Sequence, residues 1–425
     1  MNGSASQKHI PFYGWYNVLF LFLIYTATMG FLFYGFAVIF PAMVHAQGWG
    51  RGEAALAHTI RGLMVGFMAP LVALSIGRLG SANTIKIGLA AGVVALAFLG
   101  TLADRLWHWI LLWGLIMPFT FSFGGVIPVQ ANATYWFHAR RATAIGIIVT
   151  GAAIGGFIAA PVYTYLMKTT GTWRIGWLTA CAFLLLALII SFWVRNKPED
   201  LGQFPDGIAP DGDDPSIQQK SRYTARTFRT PVVWTLKEAL RTPTPYLYML
   251  CLMAQTWALY IITVHGVLHL TDRGFAPMKA ASVIGNLVLF SGFARFPIGL
   301  LGDRLEPRII SAIALAGMGL SLIFFWHPPE SFSFLLAAAA VYGFCFGATV
   351  VLFPTIIGNY FGPAAFAPIT GFVTPFMILF GAPVPFIAGL IHDRLHSYDA
   401  AFIPIIVMVL ISAVCCFIMT PPKKK

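Results

Sequence analysis

Long apolar stretches alternate along this chain with short polar breaks. A helix needs roughly 20 apolar residues to cross about 30 Å of hydrocarbon, and twelve stretches reach that length. The pattern therefore predicts an all-α membrane protein with twelve transmembrane helices. The predicted spans are 14–43, 54–77, 84–103, 107–134, 142–167, 173–194, 242–270, 279–302, 308–326, 332–358, 364–391 and 398–420.

One polar break is much longer than the others. Residues 196–241 follow the sixth apolar stretch, are rich in Pro, Asp, Gly and basic residues, and have little apolar periodicity. Such a composition is typical of a linker. We therefore expect an N-terminal six-helix bundle at 1–195, a cytoplasmic linker at 196–241 and a C-terminal six-helix bundle at 242–425.

The two predicted bundles are related by an internal repeat. When the sequence is shifted by 226 residues, 12 of the 43 positions between 48 and 90 are identical. Because this offset spans six helices and the linker, the repeats have the same orientation in the membrane. Parallel repeats of this kind in secondary transporters place the substrate site near the midplane, between the halves.

Composition and charge agree with a membrane protein. Hydrophobic residues make up 58% of the chain and charged residues 10%, against about 25% charged in soluble domains. The net charge of +12 arises in the short breaks, so a nucleic-acid partner is not expected. Of the 27 basic residues, 18 fall on the side of both termini and 7 on the other, which places both termini in the cytoplasm. The five cysteines form no metal-binding pattern, and no cofactor is expected.

Two arginines lie within predicted spans, where a charge costs about 2.5–3.5 kcal/mol. Arg295 is eight residues before Asp303, or about 12 Å along the helix. Its planar guanidinium matches a carboxylate in two parallel hydrogen bonds, so we expect it to bind an anion. The alternative is an arginine that joins helices through backbone carbonyls. Two interpretations remain for Arg61: it is a second contact for the anion, or its side chain extends to the outer membrane interface.

No aspartate or glutamate lies well inside a predicted span. This argues against cationic substrates. Three histidines in the spans, His58, His265 and His269, remain as candidates for proton coupling, because histidine titrates near neutral pH. Coupling through the substrate's own carboxylate, or exchange of one anion for another, is the alternative.

The turns after spans two and eight resemble a known family. GLLGDR at 299–304 is similar to the G-x-x-x-D-R turn of the major facilitator superfamily, and the first half has Gly77 where that family usually has Asp. The resemblance implies two six-helix halves that alternate access to a central site. It also implies gating or structural roles for Asp303, Arg304 and Arg78.

Shorter motifs resemble one branch of that family. YGW at 13–15, GW at 48–49 leading to Ala54, and YWF at 135–137 leading to Arg141 are similar to the bacterial monocarboxylate and oxalate/formate carriers. Arg295 falls where that branch keeps its substrate arginine. The resemblance implies a monomeric carrier in a bacterial inner membrane, surrounded by lipid.

The same resemblance narrows the substrate class. The oxalate carriers add a cation on helix 11 and tyrosines around the substrate, whereas 371–377 here contains no lysine and Phe33 occupies one of the tyrosine positions. One central cation with apolar walls implies a small organic anion with a single carboxylate. The remaining candidate contacts are Phe33, Asn132, Asn286, Tyr342 and Phe346. Gln255 is a further polar residue that could orient a ligand. For each polar residue an interhelical hydrogen bond is the alternative.

Other functions fit parts of this sequence. An anion antiporter of the oxalate/formate type and an efflux carrier for amphipathic compounds share the fold. A receptor would need a signalling domain, for which the linker is too short. The chain has no Gly-x-Ser-x-Gly, no HExxH and no carboxylate pair at catalytic spacing, so we do not expect an enzyme.

Overall fold

The structure is a computed structural model that describes residues 11–209 and 227–424, apart from the side chains of residues 51 and 52. Within this part every long element is a helix, and eleven helical segments are long and apolar enough to cross a membrane. The middle of the linker, 210–226, lies outside the described residues. So do the basic residues counted above at Lys8, Lys220, Arg222, Arg226 and Lys425.

The helices are numbered α1 to α12 by membrane crossing. The first half holds α1 (Gly14–Tyr34, continued by Phe36–Gln47), α2 (Arg51–Leu79), α3 (Ser81–Thr101), α4 (Leu106–Trp136), α5 (Arg141–Thr170) and α6 (Arg174–Ser191). The second half holds α7 (Thr244–Asp272), α8 (Pro277–Arg304), α9 (Pro307–Trp326), α10 (332–361), α11 (363–395) and α12 (Asp399–Ile418).

α10 and α11 form one apolar segment of 64 residues that reverses at Gly362. Gly362 has φ of 75°, a conformation that glycine adopts without strain. Before the turn, Gly343 packs on Leu287 of α8, and after it Gly371 packs on Ala69 of α2. The segment therefore crosses twice, which gives the twelve crossings that the sequence predicted.

The halves meet along two seams related by the sequence repeat. On one seam, a Cβ on Gly146 of α5 would lie 2.6 Å from the carbonyl oxygen of Arg295. On the other, a Cβ on Gly371 of α11 would lie 2.9 Å from the carbonyl oxygen of Ala69. Ala69 and Arg295 are repeat mates at the offset of 226. Small residues at both seams let the backbones approach closely, as is common between membrane helices.

Both described ends of the linker are attached to the bundles. The end of the bundles that carries the linker is called the linker face below. Near the first half, Asp206 accepts hydrogen bonds from the backbone amides of His138 and Ala139, at 2.9 and 2.7 Å. Near the second half, the amide of Thr230 donates to the carbonyl of Asn359 at 2.8 Å, and Trp234 is buried.

Among the described residues, three helices contain wide π-helical turns. These are Thr26–Tyr34 in α1, Ile110–Ile116 in α4 and Ile261–His265 in α7. Such turns inside α-helices are frequent at functional sites. The turn in α1 supplies Met29, Phe33 and Tyr34 to the cavity described next.

Candidate functional site

A cavity of about 400 Å³ lies between the halves. Four helices of each half contribute to its wall: α1, α2, α4 and α5 from the first, and α7, α8, α10 and α11 from the second. Most lining residues are apolar or aromatic. They are Tyr25, Met29, Phe33, Tyr34, Arg61, Val65, Phe121, Ser122, Val126, Ile127, Gln130, Ala152, Tyr248, Leu252, Gln255, Arg295, Phe346, Thr349, Val350, Phe353, Pro354, Thr370, Thr374, Met377 and Ile378.

The charge of the cavity wall comes from two arginines. Arg295 and Arg61 both line it and are 5% and 7% exposed. No aspartate or glutamate belongs to this wall as far as the structure describes it. Buried charges are normally paired, because an isolated one is costly in a low-dielectric interior. The wall therefore has two cations that a negatively charged guest would compensate.

Arg295 is bonded on one side only. Its Nη1 donates to the carbonyl oxygen of Val149 on α5, across the seam between the halves. Its Nε is buried and, in the described part of the chain, has no hydrogen-bond partner. Nε and Nη2 form the side edge of the guanidinium and point their N–H groups in parallel. The donors of that edge are unused in the described structure, and they match the two oxygens of a carboxylate.

Arg61 has different surroundings. Its guanidinium carbon lies 4.6 Å from the ring centre of Phe121, 5.6 Å from that of Phe33 and 5.9 Å from that of Trp113. Aromatic faces attract a cation at these distances. Its Nη2 is 3.2 Å from Nε2 of His58, one turn earlier on α2. Arg61 is therefore held by a neutral acceptor and by π-electrons.

Close contacts between the halves concentrate at the linker face. The Asp303 carboxylate of α8 accepts hydrogen bonds from the amides of Ala142 and Thr143, at 2.8 and 2.9 Å. These amides open α5, where the helix dipole also favours an anion. Arg141 donates to the Asn359 side chain of α10 at 2.7 Å. Among the described residues, no direct hydrogen bond joins the bundles at the opposite end.

A linker arginine adds to this closure. Nη2 of Arg229 donates to the carbonyl of Ala139 at 2.9 Å and lies 3.5 Å from the carbonyl of Asp303. Burial lowers the pKa of Arg229, while the carboxylates of Asp303, Asp206 and Glu306 raise it. Arginine ordinarily titrates far above neutral pH, so the guanidinium is charged where the halves meet.

Three residues that the sequence suggested as ligand contacts lie outside the cavity wall. Asn132 is fully buried in the first half and bonded to Asn17, Ser81 and the carbonyl of Arg195. Asn286 donates to the carbonyl of Leu336 at 2.7 Å. Tyr342 is fully buried against Phe325. The first two make interhelical hydrogen bonds, the alternative considered for them.

The other sequence candidates fall in several places. Phe33 and Phe346 line the cavity with the two arginines. His265 lies away from the wall and is bonded to the Tyr398 hydroxyl at 3.2 Å and the Pro385 carbonyl at 2.8 Å. His269 is bonded to the carbonyls of Phe325 and Trp326. Arg78 and Arg304, at the linker-face ends of α2 and α8, are exposed, whereas Asp303 is partly buried.

Several polar lining residues were not among the candidates. Gln255, considered in the sequence only as a residue that could orient a ligand, is bonded to Thr349 at 2.6 Å, and both line the cavity. Tyr25, Gln130 and Thr370 were missed. The sequence signal for these residues was a polar group in an apolar span. This signal does not identify ligand contacts, because many such groups form hydrogen bonds within one half.

Comparisons with known proteins agree with this architecture. A family model described as Major Facilitator Superfamily matches residues 21–363 and 282–425. The chain is 26% identical to Monocarboxylate transporter 11 of Homo sapiens over 419 residues, 85% of this chain and 81% of that protein. It is 26% identical to Monocarboxylate transporter 13 of Rattus norvegicus over 346 residues, 76% of this chain and 72% of that protein.

Solved structures share the fold at low sequence identity. A double tryptophan variant of XylE superimposes with a TM-score of 0.72 at 13% identity, covering 97% of each chain. The human organic anion transporter MFSD10 superimposes with a TM-score of 0.70 at 14% identity, covering 96% of this chain and 100% of that one. With the family match over most of the sequence, twelve crossings and a cavity between two repeated halves, this chain belongs to the Major Facilitator Superfamily.

Proposed function

We propose that this protein is a secondary transporter of a small organic anion, and that the anion's carboxylate binds Arg295. The observation that carries the proposal is the Nε/Nη2 edge of a buried guanidinium in the wall of a central cavity, which makes no hydrogen bond within the described residues. A carboxylate would fill that edge with two charge-assisted hydrogen bonds. It would also compensate a charge that has no described carboxylate in the same wall.

A monocarboxylate with an apolar body is the substrate class that we favour. The relatives named as monocarboxylate transporters support this choice. So does the cavity wall, in which Phe346, Phe353, Val350 and Met377 offer apolar contacts in the same cavity as Arg295. Because the cavity wall has few polar groups, the apolar body of a monocarboxylate would make favourable contacts there, whereas a second carboxylate would find few hydrogen-bond donors. The bacterial carrier branch and the monomeric state stay predictions.

Transport would proceed by alternating access between the halves. Because Arg295 belongs to α8 and its Val149 partner to α5, the anion would bind beside the moving seam. Binding would neutralise the guanidinium and lower the cost of enclosing it in a dry cavity. The Asp303 contacts would hold the linker face closed while the opposite side admits the anion.

The orientation in the membrane is also proposed. The 18 basic residues on the side of both termini and the linker, against 7 on the other, support a cytoplasmic linker face. In the state described, a substrate would then reach Arg295 from the outer side of the membrane. Protease or thiol-reagent accessibility of the linker in sealed vesicles would test this assignment.

The experiment is uptake by proteoliposomes. Purified protein would be tested with radiolabelled acetate, lactate, benzoate and phenylacetate, each with and without a pH gradient. We expect uptake of at least one monocarboxylate, absent from the matched Arg295→Gln variant. Uptake of an organic cation, with no carboxylate transported, would contradict the proposal.

A further inference from the structure

We infer that Gln130 of α4 is a specificity-determining residue, and that it binds an uncharged hydroxyl group on the otherwise apolar body of the transported carboxylate. The inference rests on the proposed carboxylate transport and narrows the substrate class. It starts from the cavity wall, which Gln130 lines while being 6% exposed. Its side-chain amide carries an acceptor oxygen and an NH₂ group with two donors.

The side chain of Gln130 is an exception among the described amides. Residues 11–209 and 227–424 contain ten asparagine and glutamine side chains. Nine of them form at least one hydrogen bond within this part, namely Asn17, Gln47, Asn83, Asn132, Asn196, Gln203, Gln255, Asn286 and Asn359. The tenth, Gln130, is bonded only through its backbone oxygen, which accepts from Thr134. Buried polar side chains without a partner are uncommon, because burial removes their hydrogen bonds to water.

The orientation of α4 directs this amide toward the cavity. Val126 and Ile127, four and three residues before Gln130, line the same cavity. Residues at these spacings share one face of a helix, so Gln130 belongs to the cavity-facing side of α4. Its amide atoms are not fully enclosed by protein, unlike the unpartnered hydroxyl of Ser122 on the same helix. A ligand in the cavity can therefore reach the unused donors and acceptor of the amide.

The second amide in the cavity wall is already bonded. Gln255 of α7 is also 6% exposed and donates to the Thr349 hydroxyl at 2.6 Å. That hydroxyl in turn donates to the carbonyl of Phe346 at 2.8 Å. Two amides of equal burial in one cavity therefore differ, because the protein holds Gln255 and leaves the amide of Gln130 without a partner. A ligand would supply that partner.

The amide selects the chemistry of the ligand's second polar group. A hydroxyl both donates and accepts, so it satisfies the oxygen and the NH₂ group of Gln130 together. An ammonium group would be repelled by Arg61 and Arg295 in the same wall. A second carboxylate only accepts, so it would leave the amide oxygen without a donor. A hydroxyl is therefore the group that fits this amide.

Helix positions place Gln130 nearer the linker face than Arg295. Gln130 is six residues before Trp136, the last residue of α4, and Arg295 is nine residues before Arg304, the last residue of α8. At roughly 1.5 Å of rise per residue, Gln130 lies about 5 Å closer to that face. A ligand with its carboxylate on Arg295 would extend its hydroxyl toward the linker face. This separation favours a hydroxyl several bonds away from the carboxylate over one on the adjacent carbon.

The test uses pairs of carboxylates in which a hydroxyl replaces a methyl group. The pairs are para-hydroxybenzoate with para-toluate, meta-hydroxybenzoate with meta-toluate, and gamma-hydroxybutyrate with pentanoate. Isophthalate, which has a second carboxylate at the meta position, is added to the panel. Binding to the purified full-length protein would be measured by isothermal titration calorimetry at neutral pH, and transport by uptake into proteoliposomes.

Two variants remove the amide of Gln130. Gln130→Met keeps the length of the side chain, and Gln130→Leu is a second apolar replacement. Gln47→Met, in the continuation of α1 and outside the cavity wall as the structure describes it, is the matched control. Because the Gln130 side chain forms no hydrogen bond in the described structure, both of its variants should keep the wild-type unfolding temperature. Size-exclusion chromatography would establish that each protein is folded.

The expected result is a change in preference within the pairs. Wild type and Gln47→Met should bind at least one hydroxyl compound about fivefold more tightly than its methyl partner, the effect of one net hydrogen bond. In both Gln130 variants this preference should disappear or reverse, because the hydroxyl would then lie against an apolar side chain. The methyl compounds should bind these variants at least as tightly as wild type. A merely structural role of Gln130 would weaken both members of a pair alike.

Other results would overturn the inference. One is methyl compounds that bind wild type as tightly as their hydroxyl partners, and another is a hydroxyl preference that survives in both Gln130 variants. Tighter binding of isophthalate than of meta-hydroxybenzoate would also contradict it. An equal loss of transport rate for all carboxylates, with the preference unchanged, would assign Gln130 to the conformational change instead.

Failure of this inference can be told apart from failure of the proposed function. Wild-type protein that takes up a carboxylate but binds none of the hydroxyl compounds would overturn the inference alone. Folded wild-type protein that neither binds nor takes up any carboxylate would reject the proposed function, and the role of Gln130 with it.

Discussion

Arg295 of α8 donates a hydrogen bond to the carbonyl oxygen of Val149 on α5, and this bond joins the two halves beside the central cavity. One side of the guanidinium is thereby fixed to the opposite half, which orients its plane. Nε of Arg295 has no hydrogen-bond partner in the described part of the chain, and Arg295 lines the cavity between the halves. The binding of a ligand at the Nε edge would therefore depend on the relative position of the two halves.

The close approach at this seam predicts a glycine effect. A Cβ on Gly146 would lie 2.6 Å from the backbone oxygen of Arg295, so Gly146→Ala must push α5 and α8 apart. Overpacking typically costs about 1–3 kcal/mol. We expect a lower thermal unfolding temperature in detergent and reduced carboxylate uptake, because Arg295 would be displaced.

Gly62→Ala is the matched control for that substitution. A Cβ on Gly62 of α2 meets no atom within 4 Å. The same chemical change should therefore leave unfolding temperature and uptake nearly unaltered. Equal losses in the two variants would show that the effect at Gly146 does not come from the seam.

Asp303 gives a prediction about the closed linker face. Its two oxygens accept from the amides of Ala142 and Thr143, which belong to the other half. Asparagine can accept at one of them but brings an NH₂ group to the other, and an unsatisfied buried amide costs about 1–3 kcal/mol. Asp303→Asn should therefore shift the equilibrium toward an open linker face.

Distances between spin labels would measure that shift. Asn83 and Ile309 are exposed at the linker face in opposite halves. Their separation should lengthen in Asp303→Asn. Asp206→Asn is the control, because the linker residue Asp206 accepts from His138 and Ala139 of the first half and, among the described residues, makes no hydrogen bond to the second half. An unchanged distance in Asp303→Asn would argue against the gating role.

Tyr342 gives a prediction of opposite sign. Its hydroxyl is fully buried and finds no hydrogen-bond partner in the chain as described, on a helix that lines the cavity elsewhere. Removing an unsatisfied buried hydroxyl is neutral or stabilising, by about 1 kcal/mol. Tyr342→Phe should keep its uptake and unfold at the same or a higher temperature. A loss of uptake would indicate a ligand contact that the described state does not make.

The sequence was a good guide to the fold because hydrocarbon imposes a simple rule. Every crossing needs about 20 apolar residues, so the twelve stretches and the repeat were visible without knowledge of packing. Even the turn at Gly362, between α10 and α11, fell inside the predicted break 359–363. The attached ends of the linker were not predicted, because their bonds go to backbone groups such as the Asn359 carbonyl.

The cavity was harder to predict than the fold. The depth of Arg295 and Arg61 could be counted from the sequence, and both line the cavity. The rotation of each helix about its axis could not be counted from the sequence, so Asn132 and Tyr342 were as plausible as ligand contacts as Gln255. The Val149 carbonyl has no sequence signal, because every residue has one. The His58–Arg61 spacing of three was visible, but which nitrogen would be contacted required coordinates.

The most direct test is carboxylate uptake by proteoliposomes that contain Arg295→Gln, compared with wild type and with Arg295→Lys. Charge-assisted hydrogen bonds are worth about 1.5–3 kcal/mol each, so glutamine should reduce uptake at least about tenfold. Lysine keeps the positive charge but not the planar guanidinium, so Arg295→Lys should retain part of the wild-type uptake. Arg273→Gln, in an exposed ion pair with Asp399, should behave like wild type. Loss of uptake by folded Arg295→Gln is the predicted result, and wild-type uptake by that variant would contradict the account.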